Sequence, residues 1–289
     1  MSERNFVTAR TKILCVIGHP IEHSMSPIMH NAAIQDLGLN FLYIAFDVAP
    51  NKLKEAIKGL KALNIKGINV TLPHKENVIK FIDEVDELAQ KIGAINTIKN
   101  EDGFLIGRNT DVEGANKALI AAGCETAGKN IVIIGAGGAA KAVLYSLASE
   151  SNKVTIINRT EDRAKNLVSE LKTRMGLNIE SKKYSEIILK EEIGEADILI
   201  NATPIGMFPT MNVSPVSKKI LHSDLFVFDL IYNPLETHLI KDSKEIGCQT
   251  LSGLDMLVNQ GALAFEWWTN RKPNLELMKL KIIKYLGMK

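Results

Sequence analysis

The sequence predicts an α/β protein of two domains, and three observations carry that expectation. Short β-branched runs alternate with amphipathic stretches from one end of the chain to the other, the pattern of strands joined by crossover helices in parallel sheets. Only the later of two such series carries a glycine-rich turn between a strand and a helix, so the two series are expected to form separate sheets. The 289 residues, 46% hydrophobic and 24% charged, suffice for two cores. The expected architecture is a smaller α/β domain beside a Rossmann-type doubly wound dinucleotide-binding domain.

In the first series, Ile13 to Gly18, Leu42 to Val48 and Gly67 to Thr71 read as strands, with helical patterns at Pro27 to Leu37 and Pro50 to Leu63. Two further strands are expected at Ala94 to Lys99 and Phe104 to Gly107, and the first crossover near Asp111. The second series places strands at Asn130 to Ile134, Lys153 to Ile157, Asp197 to Asn201 and Val227 to Tyr232. After Gly253 the pattern is helical, with Leu254 to Trp268 and Leu275 to Leu286 expected to pack back on the first domain. Residues 1–110 with 255–289 are thus assigned to a discontinuous first domain and 111–254 to the second. Trp267 and Trp268 are read as packed inside, and the alternating run Lys279 to Lys289 as a packing helix rather than a membrane-surface one.

Thirty-five basic against 33 acidic residues leave a net charge of +2, which gives no broad positive field for nucleic acid. Cys15, Cys124 and Cys248 stand singly without CxxC spacing, so neither a zinc site nor a disulfide framework is suggested and a reducing compartment fits. The polar amino terminus lacks the apolar stretch of a signal peptide. No later run approaches the roughly 20 apolar residues needed to cross a bilayer, so no membrane partner and a cytoplasmic location are expected. Monomer and homodimer are both left open.

Gly135-Ala136-Gly137-Gly138-Ala139-Ala140 follows an apolar strand and opens a helix, matching the GxGxxG/A fingerprint in its proper context. Such a turn places a pyrophosphate on free N–H groups at the positive end of the helix, and Gly137 would let the backbone approach it. At the end of the second strand, where an enzyme specific for NAD usually carries an acidic residue, the chain reads Asn158-Arg159-Thr160-Glu161-Asp162-Arg163. Arg159 can form charge-assisted bonds to a 2′-phosphate, with Asn158, Thr160 and Arg163 beside it, so NADP is the expected cofactor. Glu161 and Asp162 read as first-turn helix residues.

The first series holds polar clusters at its strand ends. They are Gly18-His-Pro-Ile-Glu-His-Ser24-Met-Ser26-Pro27, Asn69-Val-Thr71-Leu-Pro-His-Lys75, Gly93-Ala-Ile-Asn96-Thr97 and Asn109-Thr110-Asp111. With Asn201-Ala-Thr-Pro-Ile-Gly-Met207, Asp229-Leu-Ile-Tyr232-Asn-Pro and Gly253-Leu-Asp-Met-Leu-Val-Asn-Gln260, these motifs in this order strongly resemble the shikimate dehydrogenase family over nearly the whole chain. The resemblance implies a substrate-binding first domain and reversible NADPH-dependent reduction of 3-dehydroshikimate to shikimate, a step of chorismate and aromatic amino-acid biosynthesis. It implies that Ser24 and Ser26 hold the substrate carboxylate with Tyr232 nearby, and that Thr71, Asn96, Asp111 and Gln260 arrange the ring hydroxyls. It also points to the backbone at Leu230 and Gly253 as neighbours of the nicotinamide.

Moving a hydride to or from a secondary alcohol requires a group that takes or gives the hydroxyl proton. Lys75 and Asp111 are the candidates, Lys75 as proton carrier and Asp111 positioning it. His19, His23, His30 and His74 rank below them. No compact ligand set suggests a metal. The alternatives are a dual quinate/shikimate dehydrogenase, an enzyme acting on another ring acid, and a non-catalytic NADP-binding sensor.

Overall fold

The computed structural model describes residues 7–147, 153–175 and 178–288. Residues 1–6 of the polar amino terminus and Lys289 of the terminal run lie outside them. The chain divides into two compact units, Met1–Thr110 with Val258–Lys289, and Asp111–Leu257.

The first unit opens with β1 (Lys12–Gly18), α1 (Ser26–Asp36), β2 (Phe41–Asp47), α2 (Leu53–Ala62) and β3 (Gly67–Val70). β4 (Glu84–Val85), α3 (Glu87–Ile92), β5 (Thr97–Glu101) and β6 (Phe104–Arg108) complete a six-stranded sheet of order β2-β1-β3-β5-β6-β4. Pro27 sits in the first turn of α1, where its missing N–H costs nothing. Leu53, Ile57 and Leu60 give α2 one buried stripe.

The sheet is mixed, whereas the alternating pattern predicts parallel strands. β1 runs parallel to β2 and β3, but β3–β5 and β5–β6 are antiparallel. The reason lies between β5 and β6: Asp102 and Gly103 form a two-residue turn with φ of 51° and 96°, a hairpin connection that leaves no length for a crossover helix. The short β4 and α3 carry too few residues for a periodic signal. α3 is set by its Asp86 cap, which accepts from the Ala89 N–H at 2.6 Å, and by Gly93 in the left-handed region.

The second unit comprises α4 (Asp111–Ala121), β7 (Asn130–Ile134), α5 (Gly138–Leu147), β8 (Lys153–Asn158), α6 (Glu161–Met175) and β9 (Ile179–Lys183). It continues through α7 (Glu186–Gly194), β10 (Ile198–Asn201), β11 (Phe226–Asp229), α8 (His238–Ile246) and β12 (Gln249–Ser252). All strands of the sheet β12-β11-β10-β7-β8-β9 are parallel. In chain order within the unit this is the doubly wound 3-2-1-4-5-6 arrangement, which places a ligand crevice at the carboxyl ends where β7 and β10 diverge.

The last two helices are α9 (Gly253–Thr269), within which the unit boundary falls, and α10 (Leu275–Leu286). In the first unit α10 packs on α1, and α9 runs so close to α1 that a Cβ on Gly261 would lie 2.3 Å from Met29 Cε. Trp268 is buried, lies flat against Gly67 of β3 and donates from Nε1 to the Ile98 carbonyl at 2.9 Å. Trp267 is half-buried instead, with Arg108 4.4 Å from its ring centroid, because its side of α9 meets the cationic edge of β5 and β6. Among the described residues no helix is long and apolar enough to cross a membrane.

His30 lies in this aromatic layer, stacked on Tyr43 with centroids 4.3 Å apart and flanked by Phe265 and Trp268. Both ring nitrogens are buried without a hydrogen-bond partner, and burial pushes the imidazole down to about 3, which removes it as a proton carrier near neutrality. Because the folded value is depressed, the unfolded chain binds a proton more readily as pH falls below about 6.5, and stability is lost in that direction. His30→Leu should therefore gain about 2 kcal/mol relative to wild type at pH 5 compared with pH 8. Thermal unfolding of both proteins at the two pH values checks this, and an equal difference at both would contradict it.

Candidate substrate and dinucleotide sites

In the first unit the carboxyl edge of the parallel strands carries a polar layer. Ser26, the first residue of α1, is buried, and its N–H donates to half-buried Ser24 Oγ at 3.3 Å. Beneath them Tyr43, clamped by the Asn31 amide through both its N–H and its carbonyl, donates from its hydroxyl to Asn69 Oδ1 at 2.7 Å. Asn69 Nδ2 reaches on to the Asn96 carbonyl at 3.2 Å and to Thr97 Oγ1 at 3.3 Å.

Asn96 is the hub of this layer and is only 2% exposed. Its Oδ1 accepts from the Thr110 N–H at 2.8 Å and from Thr97 Oγ1 at 2.9 Å. Its Nδ2 donates to Thr110 Oγ1 at 3.0 Å and to Gln260 Oε1, on α9, at 3.3 Å. A buried amide with all these bonds made holds three distant segments in one geometry, since any bond left unmade costs about 1–3 kcal/mol.

Thr71 follows β3, and its N–H donates to the Ile17 carbonyl at 2.9 Å. β1 and this segment meet so closely that a Cβ on Gly18 would lie 2.4 Å from Thr71 Cγ2. Half-buried Lys75 lies at the end of the loop and is fixed through its carbonyl, which accepts from the Ile95 N–H at 2.8 Å. Neighbouring His74 is buried, its Nε2–H donating to the Val48 carbonyl at 2.6 Å, and exposed His19 pairs with Asp47 at 2.9 Å. The first unit thus collects Ser24, Ser26, Thr71, Lys75, Asn96 and Gln260, while Asp111 and half-buried Tyr232 belong to the second. Asp111, first residue of α4, directly follows Thr110, whose N–H donates to Asn96.

Sequence reading passed over Tyr43, Asn69, Thr97 and Thr110 as site-building residues. Asn69, Thr97 and Thr110 lie inside the polar motifs at the strand ends. Tyr43 gave no signal, being one aromatic in an apolar strand.

In the second unit the glycines of the turn differ in what they do. Gly135 has φ +109°, and an added Cβ would lie 2.9 Å from the Ala202 carbonyl oxygen, so the fold itself requires glycine there. Gly137 and Gly138 face open space, with no atom within 4 Å of an added Cβ. That space lies over the amino end of α5, where Lys141 N–H makes a bond back to the Gly137 carbonyl at 3.0 Å. Ala136 and Ala139 line the turn at the surface, and Ala140 packs into the core. A cradle of open backbone at a helix amino end fits a pyrophosphate.

At the end of β8, Asn158 Nδ2 donates to the Thr160 carbonyl at 2.7 Å and Arg163 N–H to the same oxygen at 3.2 Å, leaving Arg159, Thr160 and Arg163 exposed at the strand edge. At β11, Asp229 is fully buried. Its Oδ1 accepts from Asn201 Nδ2 and Ile231 N–H, and its Oδ2 from Thr237 Oγ1 at 2.6 Å. Burial pushes its carboxyl up to about 6 against those bonds, and their grip ends the strand at Asp229, short of the expected Tyr232. Leu230 and Gly253 come together, since a Cβ on Gly253 would lie 2.0 Å from the Leu230 carbonyl oxygen.

The phosphate turn, the doubly wound sheet and the carboxylate-free end of β8 define the class, a nicotinamide-dinucleotide oxidoreductase. Residues 16–98 match the shikimate dehydrogenase substrate binding domain, residues 114–236 the shikimate / quinate 5-dehydrogenase family and residues 253–279 the shikimate 5′-dehydrogenase C-terminal domain. The chain is 51% identical over 282 residues to the shikimate dehydrogenase (NADP(+)) of Methanocaldococcus jannaschii, covering 96% of this chain and 98% of that one. It is similar to a crystal structure of a shikimate dehydrogenase in complex with NADP+, with TM-score 0.91, 48% identity and coverage of 97% and 98%. It is also similar to the Thermus thermophilus shikimate 5-dehydrogenase in complex with shikimate, with TM-score 0.84, 36% identity and coverage of 96% and 99%. The chain belongs to the shikimate dehydrogenase family.

The glycines give a test. Gly137→Val should keep the wild-type melting temperature and weaken NADP binding at least tenfold, whereas Gly135→Ala should lose about 2 kcal/mol of stability or more. Calorimetric melting with NADP titration separates them, and equal melting losses in both variants would contradict the assignment.

Proposed function

We propose that the chain catalyses the reversible NADPH-dependent reduction of 3-dehydroshikimate to shikimate, in aromatic amino-acid biosynthesis. The observation that carries this reading is the polar layer of the first unit, in which neutral donors and acceptors at Ser24, Ser26, Thr71, Asn96 and Gln260 accompany one amine, Lys75. Such a set suits a polyhydroxylated ring acid, because each ring hydroxyl missing from an analogue leaves a built partner unpaired. Ser24 and Ser26 bind the carboxylate, with Tyr232 as a further donor. Thr71, Asn96, Asp111 and Gln260 orient the ring hydroxyls.

The open backbone at Gly137 and Gly138 holds the pyrophosphate of NADP, the exposed Arg159 its 2′-phosphate, and the backbone at Leu230 and Gly253 borders its nicotinamide. When bound, the cofactor supplies or accepts the hydride. Lys75 gives the proton from Nζ to the 3-keto oxygen during reduction and takes it from the hydroxyl during oxidation. The Asp111 carboxylate positions the ammonium and the hydroxyl. With three free cysteines, the reaction fits a reducing, cytoplasmic setting.

Initial rates at the nicotinamide absorbance band, with shikimate and quinate each paired with NADP and NAD, test the reading. Shikimate with NADP should be turned over fastest, and comparable quinate or NAD turnover would contradict it. Lys75→Ala and Asp111→Asn should each lower kcat about 10²-fold or more while substrate and NADP still bind. Near-normal turnover would remove them from the chemistry.

A further inference from the structure

We propose that Lys183, at the carboxyl end of β9, is a further specificity-determining residue that contributes a cation to the 2′-phosphate subsite of Arg159 and Arg163. The inference rests on the NADP reading and adds a residue from a different strand.

Strand register places it there. Ile157 pairs with Lys182 and Asn158 with Lys183, and the Tyr184 N–H donates to the Asn158 carbonyl at 3.1 Å, so the ends of β8 and β9 are locked side by side. Side chains alternate along a strand, and Lys182 is committed to Glu192 of α7 on one face. Lys183 therefore leaves the sheet on the other face, the one it shares with Asn158 and that α6 covers. Its charge is felt there: Glu161, the first residue of α6, has its carboxyl held below the usual range first by Lys165 and in smaller part by Lys183.

Lys183 is exposed, and neither it, Arg159 nor Arg163 has an ion-pair partner within 4 Å among the described residues, although most nearby lysines do. A dianion bound at this edge would therefore meet cations that no carboxylate holds in an ion pair. In a doubly wound sheet the adenosine ribose lies at the end of the second strand, here β8, next to the end of the third, here β9. A phosphate on the 2′-oxygen is then within the span of a lysine side chain from β9.

Competitive inhibition by adenosine 2′,5′-bisphosphate and by adenosine 5′-monophosphate tests this on the intact enzyme. Lys183→Ala should raise the inhibition constant of the bisphosphate about tenfold and that of the monophosphate less than twofold, and Lys183→Arg should restore most of the loss. Unchanged bisphosphate inhibition, or equal weakening of both ligands, overturns the proposal. Arg159→Ala in parallel separates the two levels. If it discriminates between the ligands while Lys183→Ala does not, only the role of Lys183 falls, and if neither discriminates, the 2′-phosphate reading of this edge falls with it.

Discussion

A single buried amide organises the first unit. Asn96 gathers Thr97 at the start of β5, Thr110 at the unit boundary and Gln260 164 residues further along the chain, using both its carbonyl and its N–H groups. A side chain so buried must find partners for these atoms, and they come from the β5–β6 hairpin, whose ladder pairs Thr97 with Arg108, and from α9. The chain's return through α9, fixed below by Trp268 on β3 and by Gly261 against α1, is what delivers Gln260 to that point. Beside this frame the Lys75 carbonyl accepts from the Ile95 N–H, next to Asn96, and the Thr71 N–H is held by the Ile17 carbonyl.

The second unit obeys a different constraint, close approach of backbone to backbone. Gly135 and Gly253 are required by carbonyl oxygens of the protein itself, at Ala202 and Leu230. A Cβ added at Gly137 or Gly138 would enter open space, so packing within the unit does not require glycine at either position. The same fingerprint therefore mixes positions that the fold requires to be glycine with positions that face open space. The two kinds separate on what a Cβ would strike.

Much of this was legible in the sequence. The glycine turn in its strand and helix context specified the doubly wound unit, because that motif has few other uses. The ordered polar motifs identified the family and pointed to Lys75, Asp111 and the serine pair. The antiparallel half of the first sheet was read as parallel, since alternation alone does not reveal that Asp102-Gly103 closes a hairpin. Tyr43 was invisible as a site residue because its role arises from the Asn31 clamp and from Asn69 across two strands, contacts that only folding creates. His30 was a conceivable base in sequence and is an apolar-layer residue in the fold, since periodicity does not reveal that three aromatic rings surround it.

Whether the amide hub governs substrate binding can be measured directly by calorimetric titration of Asn96→Ala with shikimate and, separately, with NADP. The account predicts that shikimate affinity falls at least tenfold while NADP affinity stays within twofold of wild type. Retained shikimate affinity in a protein that still binds NADP would contradict it.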